Sequence, residues 1–140
     1  NHKIKFVKEM TKYFKKLEQK KVVLVGDLNI APLENDVWSH KQLLDVVSHT
    51  PIETELLKKL IDDFKWVDVG RKYIPKHEKL YSWWSYRNKD WKKSNRGRRL
   101  DHIWVSRDLD VILKSFLSCK EIRDWEKPSD HVPLILELSL

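Results

Sequence analysis

The sequence predicts an α/β or α+β domain in which helices cover at least one face of a sheet. Apolar residues recur at helical spacing in two segments, 4–19 and 53–64. A continuous β-branched run, Val22 to Val25, lies between them, and four more strand-like stretches follow the second helix. At 140 residues the chain is one domain or part of a larger one.

Each element has its own signal. Val7, Met10, Phe14 and Leu17 give Ile4 to Gln19 one apolar stripe, the pattern of a helix lying on a sheet. Val22 to Val25 carries no alternation and is expected to be a strand buried on both faces. Leu56, Leu57, Leu60, Ile61 and Phe64 predict a second amphipathic helix over Glu53 to Phe64, with Pro51 just ahead of it. Tyr81 to Tyr86, Leu100 to Ser106, Leu113 to Ile122 and Val132 to Leu138 bring the expected strands to about five. No repeat, heptad or low-complexity segment is present.

Hydrophobic residues make up 41% of the chain, enough for a core, and 35% are charged. No run approaches the roughly 20 apolar residues that span a bilayer, so no membrane association is expected. The first residues form a Lys-rich amphipathic segment rather than a signal peptide. Cys119, the one cysteine, is expected in a strand and cannot form an internal disulfide, which fits a reducing cytoplasm. The chain starts at Asn1 rather than a methionine, which points to a fragment or a processed product.

The formal charge of +7 is unevenly placed. Asn1 to Lys21 holds eight lysines against Glu9 and Glu18, an ordinary solvated helix face. Arg87 to Arg99 holds Arg87, Lys89, Lys92, Lys93, Arg96, Arg98 and Arg99 against Asp90 alone, interleaved with Trp91. A basic aromatic loop on a mildly acidic body is the footprint of a polyanion partner.

Polar groups interrupt the apolar runs at three strand ends: Asp27 with Asn29, Asp101, and Asp130 with His131. Carboxylates at neighbouring strand ends converge on one rim of a sheet, where they suit a hard divalent cation such as Mg²⁺. A histidine in the cluster can move protons or hold a phosphate oxygen. His102, next to Asp101, should face the opposite way, and His2, His40, His49 and His77 show no partner pattern.

"GDLNIAP", "YSWWSYR", "NRGRRLDHIWVS" and "KPSDHVPL" resemble, in order and spacing, the successive signatures of the exonuclease III family of AP endonucleases. "DVWSHKQLLDVVSHTP" resembles the segment after the catalytic strand in bacterial-type members. The resemblance runs from about Lys5 to Leu138 and implies an α/β fold, the C-terminal half of a four-layered sandwich, with a mixed sheet and helices packed on one face. It implies Mg²⁺-dependent (alternatively Mn²⁺-dependent) phosphodiester hydrolysis at abasic sites and 3′ ends of double-stranded DNA. Residue by residue it implies that Asp27 orients or deprotonates the attacking water and that Asn29 positions the phosphate. His131 would bond the phosphate and Asp101 would fix its tautomer. Asp27, Asn29, Asp130 and His131 would surround the metal. Trp83 would wall the pocket for the abasic sugar, while Arg87, Arg96, Arg98 and Arg99 would grip the DNA. Arg98 stands where relatives carry apolar or aromatic residues.

Members of that family are about twice this length, and the first half supplies an asparagine, a metal-binding glutamate and a tyrosine whose motifs are not present here. Residues 1–140 are therefore expected to be one region, with an incomplete metal site, an exposed sheet face and little activity alone. The missing N-terminal half is its expected partner, and no oligomer of the intact protein is expected. Two other readings compete. One is a lipid or inositol phosphatase of the wider superfamily, which the basic loop and Trp83 disfavour. The other is a silent DNA-binding domain, which the five retained polar residues disfavour.

Overall fold

A computed structural model describes all residues, 1–140. Helix α1 (His2–Lys16) is capped by the Asn1 side chain, which accepts from the Lys3 amide at 3.0 Å, and Lys15 and Lys16 sit at its negative C-terminal end. Strand β1 (Val23–Asp27) follows, then a 3₁₀ turn (Glu34–Asp36), a short helix α2 (His40–Leu43) and helix α3 (Pro51–Asp63). Pro51 lies inside α3 at its first turn rather than ahead of it, where its missing N–H costs nothing. Thr50 and Glu53 form a capping box, and buried Glu53 also pairs with Lys3 at 2.7 Å, tying α3 to the start of α1.

The rest of the chain is β2 (Val67–Asp68), α4 (Val69–Tyr73), β3 (Trp83–Trp84), α5 (Trp91–Ser94), β4 (Gly97–Arg98), β5 (Asp101–Val105), β6 (Leu113–Ser118) and β7 (Leu134–Leu138), with 3₁₀ turns flanking β6. Three ladders form, in the orders β1-β5-β2, β3-β4 and β6-β7, and every pairing is antiparallel. The expected aromatic strand over 81–86 is shorter than predicted, because residues 85–90 turn away into the basic loop. Cys119 is buried at the turn after β6 rather than within a strand.

Helices α1 and α3 cover one face of the β1-β5-β2 sheet through Val7, Phe14, Leu57, Leu60, Trp66 and Trp104, with Leu24 packed beneath. On the opposite face, Ile103 and Val105 of β5 are covered by Val69, Phe116, Leu134 and Leu136. This cover does not reach β1. Val23 is 43% exposed and Val25 67%, so β1 is covered on one face only, where Leu24 is half-buried, contrary to the two-sided burial its apolar run predicts. An apolar run records that both faces are apolar, not that both are covered within these residues.

A second core holds Tyr81, Trp84, Trp91 and Val132. Gly97 on β4 passes so close to it that a Cβ there would lie 2.4 Å from the Tyr81 ring. Gly97→Ala should therefore lower the urea midpoint by the equivalent of about 1–3 kcal/mol, the usual cost of overpacking. Gly70→Ala meets the end of Leu80 at 3.0 Å, with Arg99 Nη1 and Phe116 at 3.4 and 3.5 Å, and should cost less; equal midpoints for the two variants would refute the close-approach account.

Candidate active site

β1 and β5 pair so that Asp27 stands directly opposite Asp101. Like charges across a strand pair repel, and a histidine relieves the repulsion. His131 Nδ1–H donates to Asp101 Oδ2 at 2.8 Å, and its Nε2 lies 3.8 Å from Asp27 Oδ2. Partial burial alone would lower the His131 pKa, but the Asp101 hydrogen bond and the charges of Asp101, Asp27 and Asp130 outweigh it and raise the pKa. This contribution to stability is full below the ordinary histidine value and is lost as pH rises through the raised one.

The backbone fixes each member. Ser82 is fully buried, and its hydroxyl accepts from the amides of Leu100 and Asp101, both at 3.0 Å, anchoring the start of β5. His131 bridges Trp83 on β3, with the Trp84 amide donating to the Asp130 carbonyl at 2.9 Å and the Val132 amide to the Ser82 carbonyl at 2.9 Å. After β1, Asn29 turns into the left-handed region at φ 52°, a conformation asparagine tolerates better than most residues. Its amide donates to Asp27 Oδ1 at 2.9 Å and its side-chain nitrogen to Asp27 Oδ2 at 3.3 Å. The strand end is thus an Asx turn that aims the carboxylate.

Asp27, Asp101 and His131 offer ligand atoms that all lie within 4.8 Å of one another, an arrangement able to hold a cation. Asp130 is outside that trio, and one of its carboxylate oxygens accepts from the Trp83 indole at 3.0 Å. The indole and Asp130 therefore hold each other, which sequence reasoning did not anticipate.

Beside the trio lies a cleft of about 770 Å³ lined by Trp38, Trp83, Ser85, Arg87, Asn88, Ser94, Arg96 and Arg98, with no carboxylate among them. Arg98 lies over the Trp83 ring at 5.5 Å and Arg96 over Trp38 at 4.6 Å, two cation–π stacks side by side. Arg98 Nη1 donates to the Val47 carbonyl at 3.1 Å while its buried Nε has no partner, and burial lowers its pKa. Anything that meets the face of Trp83 stacked by Arg98 meets the guanidinium as well. The place of Trp38 here follows from its amide bonding the Gly97 carbonyl at 3.2 Å, a long-range contact no local pattern signals.

Arg99 does not belong with these groups. It is 2% exposed and faces inward, with Nε and Nη2 on Asp36 at 2.9 and 2.8 Å and Nη1 on Asp68 at 2.8 Å. Arg71 joins the same Asp36 at 2.6 Å. Successive residues on an extended chain point to opposite sides, so Arg98 faces the cleft and Arg99 the interior. Arg99 is a core ion-pair residue, and the DNA contact expected of it is withdrawn.

His102 faces away from the trio, as expected, and is buried. Burial is the main effect that lowers its pKa and that of His49.

A fold with helices over one sheet face, and an Asp–His–Asp rim at the strand ends beside a cationic aromatic cleft, has known counterparts. Residues 10–131 match the model of the Endonuclease/Exonuclease/phosphatase family, and the chain belongs to that family. It is 34% identical over 141 residues to exodeoxyribonuclease III of Haemophilus influenzae, covering 95% of this chain and 52% of that protein. An AP endonuclease structure from Archaeoglobus fulgidus superposes with a TM-score of 0.91 at 29% identity, covering 98% of this chain and 53% of that one. A structure of the 3′ phosphatase NExo from Neisseria bound to product DNA hairpin gives 0.83 at 27%, covering 96% and 51%. The chain spans about half the length of the relatives it matches. No helix is long and apolar enough to cross a membrane.

Proposed function

We propose that this chain is one half of a DNA repair phosphodiesterase, acting with Mg²⁺ on duplex DNA at abasic sites and at blocked or recessed 3′ ends. The reading rests chiefly on His131 bridging two cross-strand carboxylates beside a cleft that carries three arginines and two tryptophans and no carboxylate. The family membership and the activities of the similar proteins support it.

The chain's own residues divide the work. Asp27, aimed by Asn29, accepts a proton from an attacking water. Asp101 keeps the His131 proton on Nδ1 and favours the imidazolium, so Nε2 faces the open side as a donor to a phosphoryl oxygen. Arg87, Arg96 and Arg98 hold the backbone through charge, making affinity steeply salt-dependent and blind to sequence. Trp83 and Arg98 together form the wall that an extrahelical sugar would meet.

The donor set fits Mg²⁺, which is held by one or two carboxylates and completes its shell with water and substrate oxygens. Asp27 and Asn29 would hold it, with Asp101 in the same cluster of ligand atoms, whereas His131, its Nδ1 bonded to Asp101, keeps Nε2 for the phosphate, and Asp130, bonded to the Trp83 indole, lies outside the cluster. When bound, such an ion neutralises phosphate charge and stabilises the leaving 3′-oxygen.

With Mg²⁺ and an abasic duplex, the 140-residue chain alone should show little nicking, and supplying the other half of the fold should produce it. Robust turnover by the chain alone would refute the half-site reading. No cleavage by the complete fold would refute the phosphodiesterase reading.

A further inference from the structure

The segment that carries Asn29 is held from behind by two buried histidines on consecutive carbonyls. His102 Nε2 lies 2.8 Å from the Ile30 carbonyl oxygen, and His49 Nδ1 lies 2.7 Å from that of Ala31. His102 comes from the middle of β5 and His49 from the loop before α3, so the two grips reach the segment from different elements. Ile30, Ala31, His49 and His102 are all buried.

A carbonyl can only accept, so each imidazole must carry its proton at the nitrogen that faces it. For His102 this is Nε2, and its Nδ1 is buried with no partner, leaving no acceptor there to hold a proton instead. For His49 it is Nδ1. Its Nε2 is then an acceptor and receives the Nδ1–H of His40 at 2.7 Å, while the His40 Nε2 faces Glu34 at 3.8 Å. The two clamping histidines are thus fixed in opposite tautomers, the second by a relay that begins at the surface.

We infer that His49 and His102 are positioning residues, whose N–H groups lock the Ile30 and Ala31 carbonyls and so hold Asn29 in its left-handed turn against Asp27. The two carbonyls lie one and two residues beyond Asn29, and their bonds add to the other restraints on its left-handed turn, which are the Asp27 side chain and the Leu28 and Ala31 amides bonded to the Leu100 and Ser48 carbonyls at 3.0 and 2.8 Å. The functional meaning of this clamp rests on the phosphodiesterase reading; its existence does not.

The test uses NMR of this chain, independent of catalysis. Nitrogen-15 spectra should show His102 as the Nε2–H form and His49 as the Nδ1–H form; the opposite form at either would overturn the inference. His102→Gln and His49→Asn keep an amide N–H near the position of the donating nitrogen, whereas His102→Leu and His49→Leu remove it. In the Leu variants, hydrogen exchange at the Leu28 and Ala31 amides should quicken about tenfold, the factor that loss of one buried hydrogen bond carries. The Ser106 amide, at the far end of the same strand pair, should hold its rate, and the amide-bearing variants should recover most of the protection. Unchanged exchange in the Leu variants, or Ser106 quickening in step, would overturn the inference in favour of no role or a purely global one.

Discussion

His131→Ala should lower cleavage of an abasic duplex by about 10²- to 10⁴-fold, measured in a chain that carries both halves of the fold, the range typical of losing a positioned acid or base. DNA affinity should change little, because the cleft arginines are untouched. Asp101→Asn should act through the same group. It removes the Asp101 hydrogen bond and charge that raise the His131 pKa, leaving burial opposed only by the charges of Asp27 and Asp130. The histidine titration, followed by NMR, should fall from its raised value, and the alkaline limb of the rate profile should move to lower pH with it. Cleavage that survives both changes with binding intact would sink the assigned mechanism.

The second large effect is on stability. Asp36 is fully buried and binds Arg71 and Arg99 while also accepting the Leu33 amide at 2.9 Å. Asp36→Ala leaves two buried guanidinium groups facing one remaining carboxylate, Asp68. Breaking a buried pair from one side costs about 3–5 kcal/mol, a large share of a typical domain's stability, so the urea midpoint should collapse. Glu9→Ala, which removes an exposed partner of Lys12, should leave it in place. The same cluster sets an acid limit. Burial works to raise the Asp68 pKa, but the charge and hydrogen bonds of Arg99 lower it below the ordinary value. Its contribution is therefore present above the unfolded aspartate pKa and is lost as pH falls through the depressed one. An Asp36→Ala protein as stable as the parent would show that the quartet is not structural.

The rim was legible in the sequence because Asp27, Asn29, Asp101 and His131 each break an apolar run, and buried strands do not carry such residues idly. The long helices were legible too, since 15 and 13 residues give a period time to repeat. The two-residue strands β2 and β4 were not, because a period of two cannot show itself over two residues. Arg98 and Arg99 read alike in "RGRRL", yet one faces a cleft and the other the core. What separates them is Asp36 and Asp68, 63 and 31 residues away in sequence. His49 and His102 were unreadable for the same reason, since their partners are backbone carbonyls, which have no letter in a sequence.

The bare side of β1 has a practical consequence. Val23 and Val25 sit on an edge strand of the β1-β5-β2 sheet, which is a template for pairing with another chain. The net charge of +7 that every copy carries opposes such pairing. Salt shortens the reach of that repulsion, to about 3 Å at 1 M. Raising ionic strength to strip the chain from a polyanion thus favours self-association, and a loss of nucleic-acid binding at high salt must be separated from clouding of the sample.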